Sequence, residues 1–450
     1  MTLSLAAKTT ERLRTAFANG LTRPVAWREE QLRRLMKMLS RHAEEISEAL
    51  STDLGKPVFE TQKSETGYVA KEAEYALHRI KKWVQPRRIG IPLHLHPGRA
   101  WVQPEPYGVA LIIAPWNFPI QLSLTPLVAA LAAGNCAILK PSEYAPAASG
   151  VLNRLLPQYL DNEAVAVIEG DAETAKALLR QNLDYIFYTG STTIGRKVMA
   201  AAAAQLTPVT LELGGKCPCV VDSSANLEVA ARRIVWGKFL NAGQTCVAPD
   251  YVLVQESVES ELLQQMRSAI NCFFTEKPAS SPDYGRIVND KHFQRLFALL
   301  QQGKIVVGGD SDRATRYIGP TILQNPVPDS PVMEEEIFGP ILPVISVPSV
   351  AEAIAQIKSR PKPLALYLFS ADQNTREQIL QQTSSGGVCV NDTILHLSTP
   401  ELPFGGVGES GIGRYHGRAG FETFSHDKTV FEHRTWLDPR LRYPPYDRFR

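Results

Sequence analysis

Four short segments carry residues suited to attack on a carbonyl carbon. Cys246 stands in Asn241-Ala242-Gly243-Gln244-Thr245-Cys246-Val247-Ala248-Pro249. A thiol is a nucleophile only as its thiolate, and an ordinary cysteine has a pKa of about 8.5. The Gly-Gln-Thr turn, with small neighbours, exposes the sulfur and its backbone N–H. The competing reading is a buried structural thiol, the common fate of a reduced cysteine. Asn117 lies in Pro115-Trp116-Asn117-Phe118-Pro119, where two prolines stiffen the loop. A neutral amide there can donate to an oxyanion; otherwise the segment is a rigid turn around a Trp. Glu212 sits between Leu211 and Leu213, which predicts a half-buried carboxyl pushed toward the general-base range. Its other reading is a simple pair with Lys216. In Glu334-Glu335-Glu336-Ile337-Phe338-Gly339-Pro340, a carboxylate and an aromatic sit two apart; the plain alternative is a solvated acidic turn.

A partial nucleotide signal accompanies these. Tyr185-Ile186-Phe187-Tyr188 leads into Thr189-Gly190-Ser191-Thr192-Thr193-Ile194-Gly195. A strand feeding a small, hydroxyl-rich turn that opens a helix suits phosphate at a helix N-terminus. It is not a GxGxxG fingerprint, because Gly190 is the only turn glycine. A preceding strand ends in Leu139-Lys140-Pro141-Ser142-Glu143, where Lys140 and Glu143 can both reach ribose hydroxyls. The Glu143 carboxylate repels a 2′-phosphate and so favours NAD.

The remaining cysteines, Cys136, Cys217, Cys219, Cys272 and Cys389, form no CxxC pair and read as core or surface residues. His94 and His96 are expected to alternate on one strand face without a third ligand, so no metal site is expected.

The elements that must position these residues alternate. An amphipathic helix is expected over 27–50, with Leu32, Leu35, Leu39, Ile46 and Leu50 at helical spacing. Residues 89–93 and 99–102 read as a projecting hairpin. Apolar runs ending at 114, 139, 168 and 188, separated by helical stretches at 126–133 and 172–180, predict βαβ units and a parallel sheet. A second α/β series follows Glu212, with strands at 219–221, 251–254, 304–307 and 366–369. Residues 106–139 carry no charge, enough to span a bilayer of about 20 residues. Pro115, Pro119 and Pro126 break that stretch, so a strand, a loop and a buried helix explain it better.

Composition narrows the classes further. With 450 residues, two or three domains are expected. Hydrophobic content of 44% and charged content of 21% exclude wholesale disorder. A net charge of +2 gives no reason to expect nucleic acid. Six cysteines are too few for a disulfide scaffold, which points to a reduced, cytoplasmic setting. Residues 1–17 show no secretory signal.

Taken together, PWNFP (115–119), KPSE (140–143), TGST (189–192), LELGGK (211–216), GQTC (243–246), EEIFGP (335–340) and PFGGVGESGIG (403–413) resemble the aldehyde dehydrogenase superfamily. The segments at 22–28 and 415–426 resemble its class 3 branch, which includes fatty-aldehyde dehydrogenases. The resemblance implies an α/β fold with a Rossmann-type NAD(P)-binding domain (1–84 and 104–211), an α/β catalytic domain (212–414), and an oligomerisation hairpin with a C-terminal arm (85–103 and 415–450). It implies that Cys246 attacks an aldehyde, that Asn117 and the Cys246 N–H hold the oxyanion, and that Glu212 activates water on the resulting thioester. Glu336 is the rival base. It further implies that Lys140 and Glu143 hold the adenosine ribose, that Trp116, Gly190 and Ser191 follow the pyrophosphate, and that Glu336 and Phe338 meet the nicotinamide end. Cys217 departs from the usual Asn and Tyr188 from the usual Phe; both are expected to be packing changes away from the chemistry.

The expected reaction is NAD(P)-dependent oxidation of an apolar aldehyde (fatty, aromatic or apocarotenoid) by a homodimer. The rivals are a coenzyme A-acylating dehydrogenase and a non-catalytic binding protein of this fold. The tail carries Arg434, Arg440, Arg442, Arg448 and Arg450 against Asp438 and Asp447, interleaved with Trp436, Tyr443, Tyr446 and Phe449. It reads as an arm on a neighbouring subunit or a peripheral membrane contact.

Overall fold

The computed structural model describes residues 2–439 and 442–446; Arg440, Asp447, Arg448, Phe449 and Arg450 of the basic tail lie outside the described residues. The uncharged stretch forms strand Val109–Ile113, helix Gln121–Ala133 and strand Cys136–Lys140. Both strands are buried throughout, and the helix is buried from Leu122 to Ala133. A sheet covered on both faces needs no polar side, which is why the run shows no alternation. Among the described residues, no helix is long and apolar enough to cross a membrane.

These strands belong to a six-stranded sheet. Its order is Gly411–Ile412, Val209–Glu212, Tyr185–Thr189, Val109–Ile113, Cys136–Lys140, Val165–Val167. All neighbours are parallel except Gly411–Ile412, which runs antiparallel to Val209–Glu212. Sequence order reverses between Val109–Ile113 and Tyr185–Thr189. In open α/β sheets, ligands lie outside the strand carboxyl ends at such a switch point. Here those ends lead into Pro115-Trp116-Asn117 and Gly190-Ser191.

A second sheet has seven strands. Its order is Lys304–Val307, Thr321–Gln324, Ile341–Val347, Tyr251–Gln255, Pro218–Val221, Ala365–Phe369, Gly387–Val390. Only Lys304–Val307 is antiparallel. The Cys246 turn enters strand Tyr251–Gln255, and the Glu336 turn enters Ile341–Val347. Strands Thr321–Gln324, Ile341–Val347 and Gly387–Val390 were not expected from the sequence: the first and last are only four residues long, Ile341–Val347 is interrupted by Pro343, and none alternates cleanly between buried and exposed.

A third sheet joins Arg87–Ile89, Arg99–Pro106 and Ser425–Glu432, the last two antiparallel over eight paired positions. The expected hairpin is therefore present, but its first arm ends at Ile89. Leu93–Leu95 is a tight 3₁₀ turn, so His94 and His96 do not alternate on a strand. Pro92 and Pro97 remove the donors that a ladder there would need.

The expected helix over 27–50 is two helices, Val25–Arg41 and Ala43–Leu54. The break falls at His42 (φ −112°, ψ 24°). Its ring bonds Glu45 and the Tyr159 hydroxyl, each at 3.0 Å. Tertiary contact overrides an unbroken periodicity here.

Candidate active site

The turn that presents Cys246 is built from unusual backbone. Asn241, Ala242 and Gly243 take φ values of 52°, 52° and 73° in succession. A Cβ on Gly243 would lie 2.2 Å from the Gly339 carbonyl oxygen, so only glycine fits between the Cys246 and Glu336 turns. Gln244 locks the turn: its amide donates to the carbonyls of Asn241 (3.0 Å) and Arg286 (2.9 Å) and accepts from the Val288 N–H (3.0 Å).

The loop carrying Asn117 is held from beneath. Buried Lys56 donates to Glu65 at 2.5 Å and to the Asn117 carbonyl at 2.9 Å. The second Glu65 oxygen accepts from the N–H groups of Ile120 (3.1 Å) and Gln121 (2.8 Å). The Asn117 side chain is itself buried, and its amide donates to the Gln244 carbonyl at 3.0 Å. That uses one N–H; the second makes no bond among the described residues. Sequence reading missed Lys56 and Glu65, because nothing local joins them to a loop more than fifty residues away.

These turns meet around a cleft of about 260 Å³. Trp116, Asn117, Gly190, Ser191, Glu212, Cys246, Glu336 and Phe338 all line it. Eight of the ten expected residues are thus brought together from both sheets. Lys140 and Glu143 are not in its wall. They pair with each other at 2.8 Å at the end of the neighbouring strand, with Lys140 buried. The adjacent Tyr144 ring sits 6.5 Å from His292, which does line the cleft.

Glu212 does not pair with Lys216. The Lys216 ammonium contacts Asp250 and donates to the carbonyls of Val332 and Glu335, each at 2.8 Å. Both Glu212 carboxylate oxygens are buried without a hydrogen-bond partner among the described residues. Burial raises its pKa well above the usual carboxylate range. Nor is Glu336 in a solvated turn. One of its oxygens is buried and has no partner among the described residues. A Cβ on Gly214 would stand 2.1 Å from the other, so the bare backbone is what lets this carboxylate lie against it. Burial and the nearby Asp250 push Glu336 up to about 8, against the Gly215 N–H.

Cys246 is half-buried. Burial, then Glu336 and Glu212, push its thiol up to about 12, opposed by the N–H groups of Cys246 and Val247. Burial thus favours the uncharged form of all three groups, so the base is the fraction of carboxyl that is ionised. A thiol that must ionise faces Glu212 and Glu336, each with an oxygen that has no partner among the described residues, and either can take the proton when it is ionised.

Cys217 is closer to this chemistry than its sequence position suggested. Its thiol is fully buried and donates to the Cys246 carbonyl at 3.4 Å, while accepting from the Ala365 N–H at 3.3 Å. It ties the Cys246 turn to strand Ala365–Phe369. Tyr188 packs its hydroxyl against the phosphate-type turn, where a Cβ on Gly190 would meet it at 2.3 Å.

Two cleft residues carried no sequence signal. His292 and Arg295 both come from helix Asp290–Leu299. The His292 ring lies 5.1 Å from Trp116, and Phe338 meets Trp116 edge-on at 5.3 Å. Burial and then Arg295 depress His292 to about 4, leaving a neutral imidazole. Arg295 donates to the Ile337 carbonyl at 2.7 Å and so braces the Glu336 turn.

A model of the aldehyde dehydrogenase family matches residues 5–430. This chain belongs to the aldehyde dehydrogenase family. It is similar to the 4,4'-diaponeurosporen-aldehyde dehydrogenase of Staphylococcus aureus, at 48% identity over 96% of this chain and 94% of that protein. The "Aldehyde dehydrogenase, dimeric NADP-preferring" of Mus musculus is 45% identical over 96% of each chain. "Aldehyde dehydrogenase family 3 member B1" of Homo sapiens is 47% identical over 97% of this chain and 94% of that protein. A substrate-bound structure of Staphylococcus aureus AldH superposes with a TM-score of 0.96 at 46% identity, covering 98% of this chain and 96% of that one. The class 3 placement and the aldehyde dehydrogenase fold both hold. The aldehyde dehydrogenase oxidises aldehydes to carboxylic acids with NAD(P).

Proposed function

We propose that this enzyme oxidises apolar aldehydes and that Cys246 is its nucleophile. The observation that carries the substrate class is a second cavity. It measures about 600 Å³ and is walled largely by Phe59, Tyr68, Phe118, Trp236, Phe273, Phe274, Ile394, Leu395 and Leu397. It reaches Thr245 and Val247, the neighbours of Cys246 on either side. An apolar chain in this cavity would lie beside the two residues that flank Cys246. The Staphylococcus aureus relative, named for an apocarotenoid-type aldehyde, supports this reading. A panel of fatty, aromatic and apocarotenoid aldehydes ranked by kcat/KM tests it. Preference for small polar aldehydes would refute it.

In the proposed mechanism, Cys246 passes its proton to a neighbouring carboxylate and adds to the aldehyde carbon, forming a thiohemiacetal. Asn117 and the Cys246 N–H donate to its oxyanion. A thioester is left on Cys246 after oxidation. Glu212, with two free oxygens, takes a proton from the water that cleaves it; Glu336 is the alternative base.

The residues present fit a dinucleotide. Helix Thr192–Ala203 has no acidic residue in its first turn, and Ser191 at its N-cap spends no side-chain bond on the helix. The bound dinucleotide supplies the hydride acceptor. Trp116, Gly190 and Ser191 would hold its pyrophosphate, Lys140 and Glu143 its adenosine ribose, and Glu336 and Phe338 its nicotinamide end. NAD is favoured through the Glu143 carboxylate. The Lys140 ion pair offsets part of that charge, and the mouse relative is named NADP-preferring, so the preference is expected to be small. Comparing kcat/KM with the two cofactors measures it.

A coenzyme A-acylating role is disfavoured by the unpartnered Glu212, which is available to water; acid production without coenzyme A separates the two. NADH absorbance with an apolar aldehyde distinguishes an enzyme from a non-catalytic relative.

The proposed division has three parts: cofactor binding at 1–84 and 104–211, catalysis at 212–414, and assembly at 85–103 and 415–450, with strand Gly411–Ile412 of the second part lent to the first sheet. A homodimer built through the third sheet is supported by its exposed strand Ser425–Glu432 and by the mouse relative's name. Light scattering at working concentration reads the mass. A cytoplasmic setting is proposed, in keeping with six free cysteines. In the C-terminal arm, Trp436 and Tyr446 are 75% and 63% exposed beside Arg434 and Arg442, which fits a peripheral lipid contact. Liposome co-sedimentation of the full chain against one ending at His433 tests that contact; equal binding would refute it.

A further inference from the structure

One ionisable group in the apolar channel is used by none of the steps above. Glu60 ends the short helix Val58–Glu60, where the chain enters a π-helical turn over Thr61–Thr66. One of its oxygens accepts the backbone N–H of Asn241 at 3.1 Å. Asn241 is the first of the three left-handed residues that lead to Cys246. The other Glu60 oxygen makes no bond among the described residues, and Glu60 lines the channel.

The groups around Glu60 do not cancel its charge when it is ionised. Lys56 is close, but its ammonium is committed to Glu65 and to the Asn117 carbonyl. Glu65 and Asp283 add negative charge, and Asp283 also lines the channel. Lys63 and Lys71 are exposed members of the same wall. A carboxylate among Phe118, Trp236 and Phe274 acts at low dielectric, where a like charge is rejected far more strongly than in water.

We propose that Glu60 sets the charge selectivity of this channel: it admits aldehydes with uncharged chains and turns away those carrying a carboxylate. This rests on the reading that the channel takes the substrate. One consequence is that aldehydes with a distal acid group are poor substrates even when their length and apolar character suit the cavity. Glu60 acts here as a specificity-determining residue while also positioning the Asn241 turn.

The test compares an alkanal with an ω-oxo acid of equal chain length, in the native protein and in Glu60→Gln. Glutamine keeps a carbonyl for the Asn241 N–H and removes the charge. The native protein is expected to favour the alkanal in kcat/KM by at least about tenfold, and Glu60→Gln to narrow that gap by about tenfold. The ratio carries the result, because a loosened turn slows both substrates alike. A second arm needs no variant. Burial, opposed by Lys56, raises Glu60 to about 7. The carboxyl is therefore neutral below that pH and charged above it. The alkanal preference should shrink toward pH 6 and grow toward pH 8.5, while the oxo acid, with a carboxyl pKa of about 4, stays ionised throughout. A ratio unchanged by both the substitution and pH overturns the proposal alone. No turnover of the alkanal would overturn the substrate reading and this proposal with it.

Discussion

The ammonium of Lys216 is bound to Asp250, although Glu212 lies only four residues before it in the chain. The pairing decides which carboxylate in the cleft is available. Asp250 is paired, and its other oxygen accepts the Ile337 N–H at 3.0 Å. Lys216 also holds the carbonyls of Val332 and Glu335. One cation therefore fixes the turn that aims Glu336, while Glu212 keeps both oxygens free.

Lys216→Met should leave the Asp250 carboxylate, which is 4% exposed, without its counter-charge. Breaking a buried pair from one side costs about 3–5 kcal/mol. Urea unfolding should read a loss of that size, and kcat should fall because the Glu335 carbonyl is released beside Glu336. A loss below about 1 kcal/mol would show that the pair is solvated.

Cys246→Ala should reduce acid production by on the order of 10⁴-fold or more, while cofactor titration still gives a measurable Kd. Normal turnover in this variant would refute the assignment of the nucleophile.

The thiol of the cofactor-free protein should react slowly at neutral pH. With Cys246 pushed up to about 12, the thiolate fraction rises about tenfold per pH unit below that value. Alkylation by iodoacetamide should therefore climb without a plateau from pH 7 to 9.5. Glu336, raised to about 8, is largely charged at pH 9 and opposes the thiolate. Glu336→Gln should then speed alkylation at pH 9 and change it little at pH 7. A plateau near pH 8 in the native protein would contradict the dry-cleft reading.

Gly243→Ala should damage both stability and turnover. The new Cβ must tolerate φ of 73° and sit 2.2 Å from the Gly339 oxygen. A cost of roughly 2–4 kcal/mol follows from strain plus overlap. Because the overlap joins the Cys246 and Glu336 turns, kcat should fall more than KM rises. Native-like kcat would show that the two turns move independently.

Much of the active site was legible before folding was considered. Gly214 lets the Glu336 carboxylate lie against bare backbone, Gly243 fits under a carbonyl, and prolines 115 and 119 stiffen the loop of Asn117. Those demands are local, so they appear as short fixed strings in the chain. The alternation of apolar runs likewise gave the first parallel sheet. What failed were features decided by distant partners. The expected helix over 27–50 breaks at His42 because Tyr159 bonds its ring. The expected strand at His94 and His96 is a turn between prolines.

The sequence by itself determined the reaction family, the parallel sheets and which side chains to propose as the reacting ones, because turn chemistry and hydrophobic period are properties of neighbouring residues. Only the tertiary structure decided the charge state and supply lines of the site. It paired Lys216 with Asp250, set Cys217 against the Cys246 carbonyl, brought His292 and Arg295 into the cleft, and opened a channel with Glu60 in its wall. Those outcomes depend on burial and on contacts between residues far apart in the chain, and a carboxylate's proton affinity is fixed by what surrounds it in space.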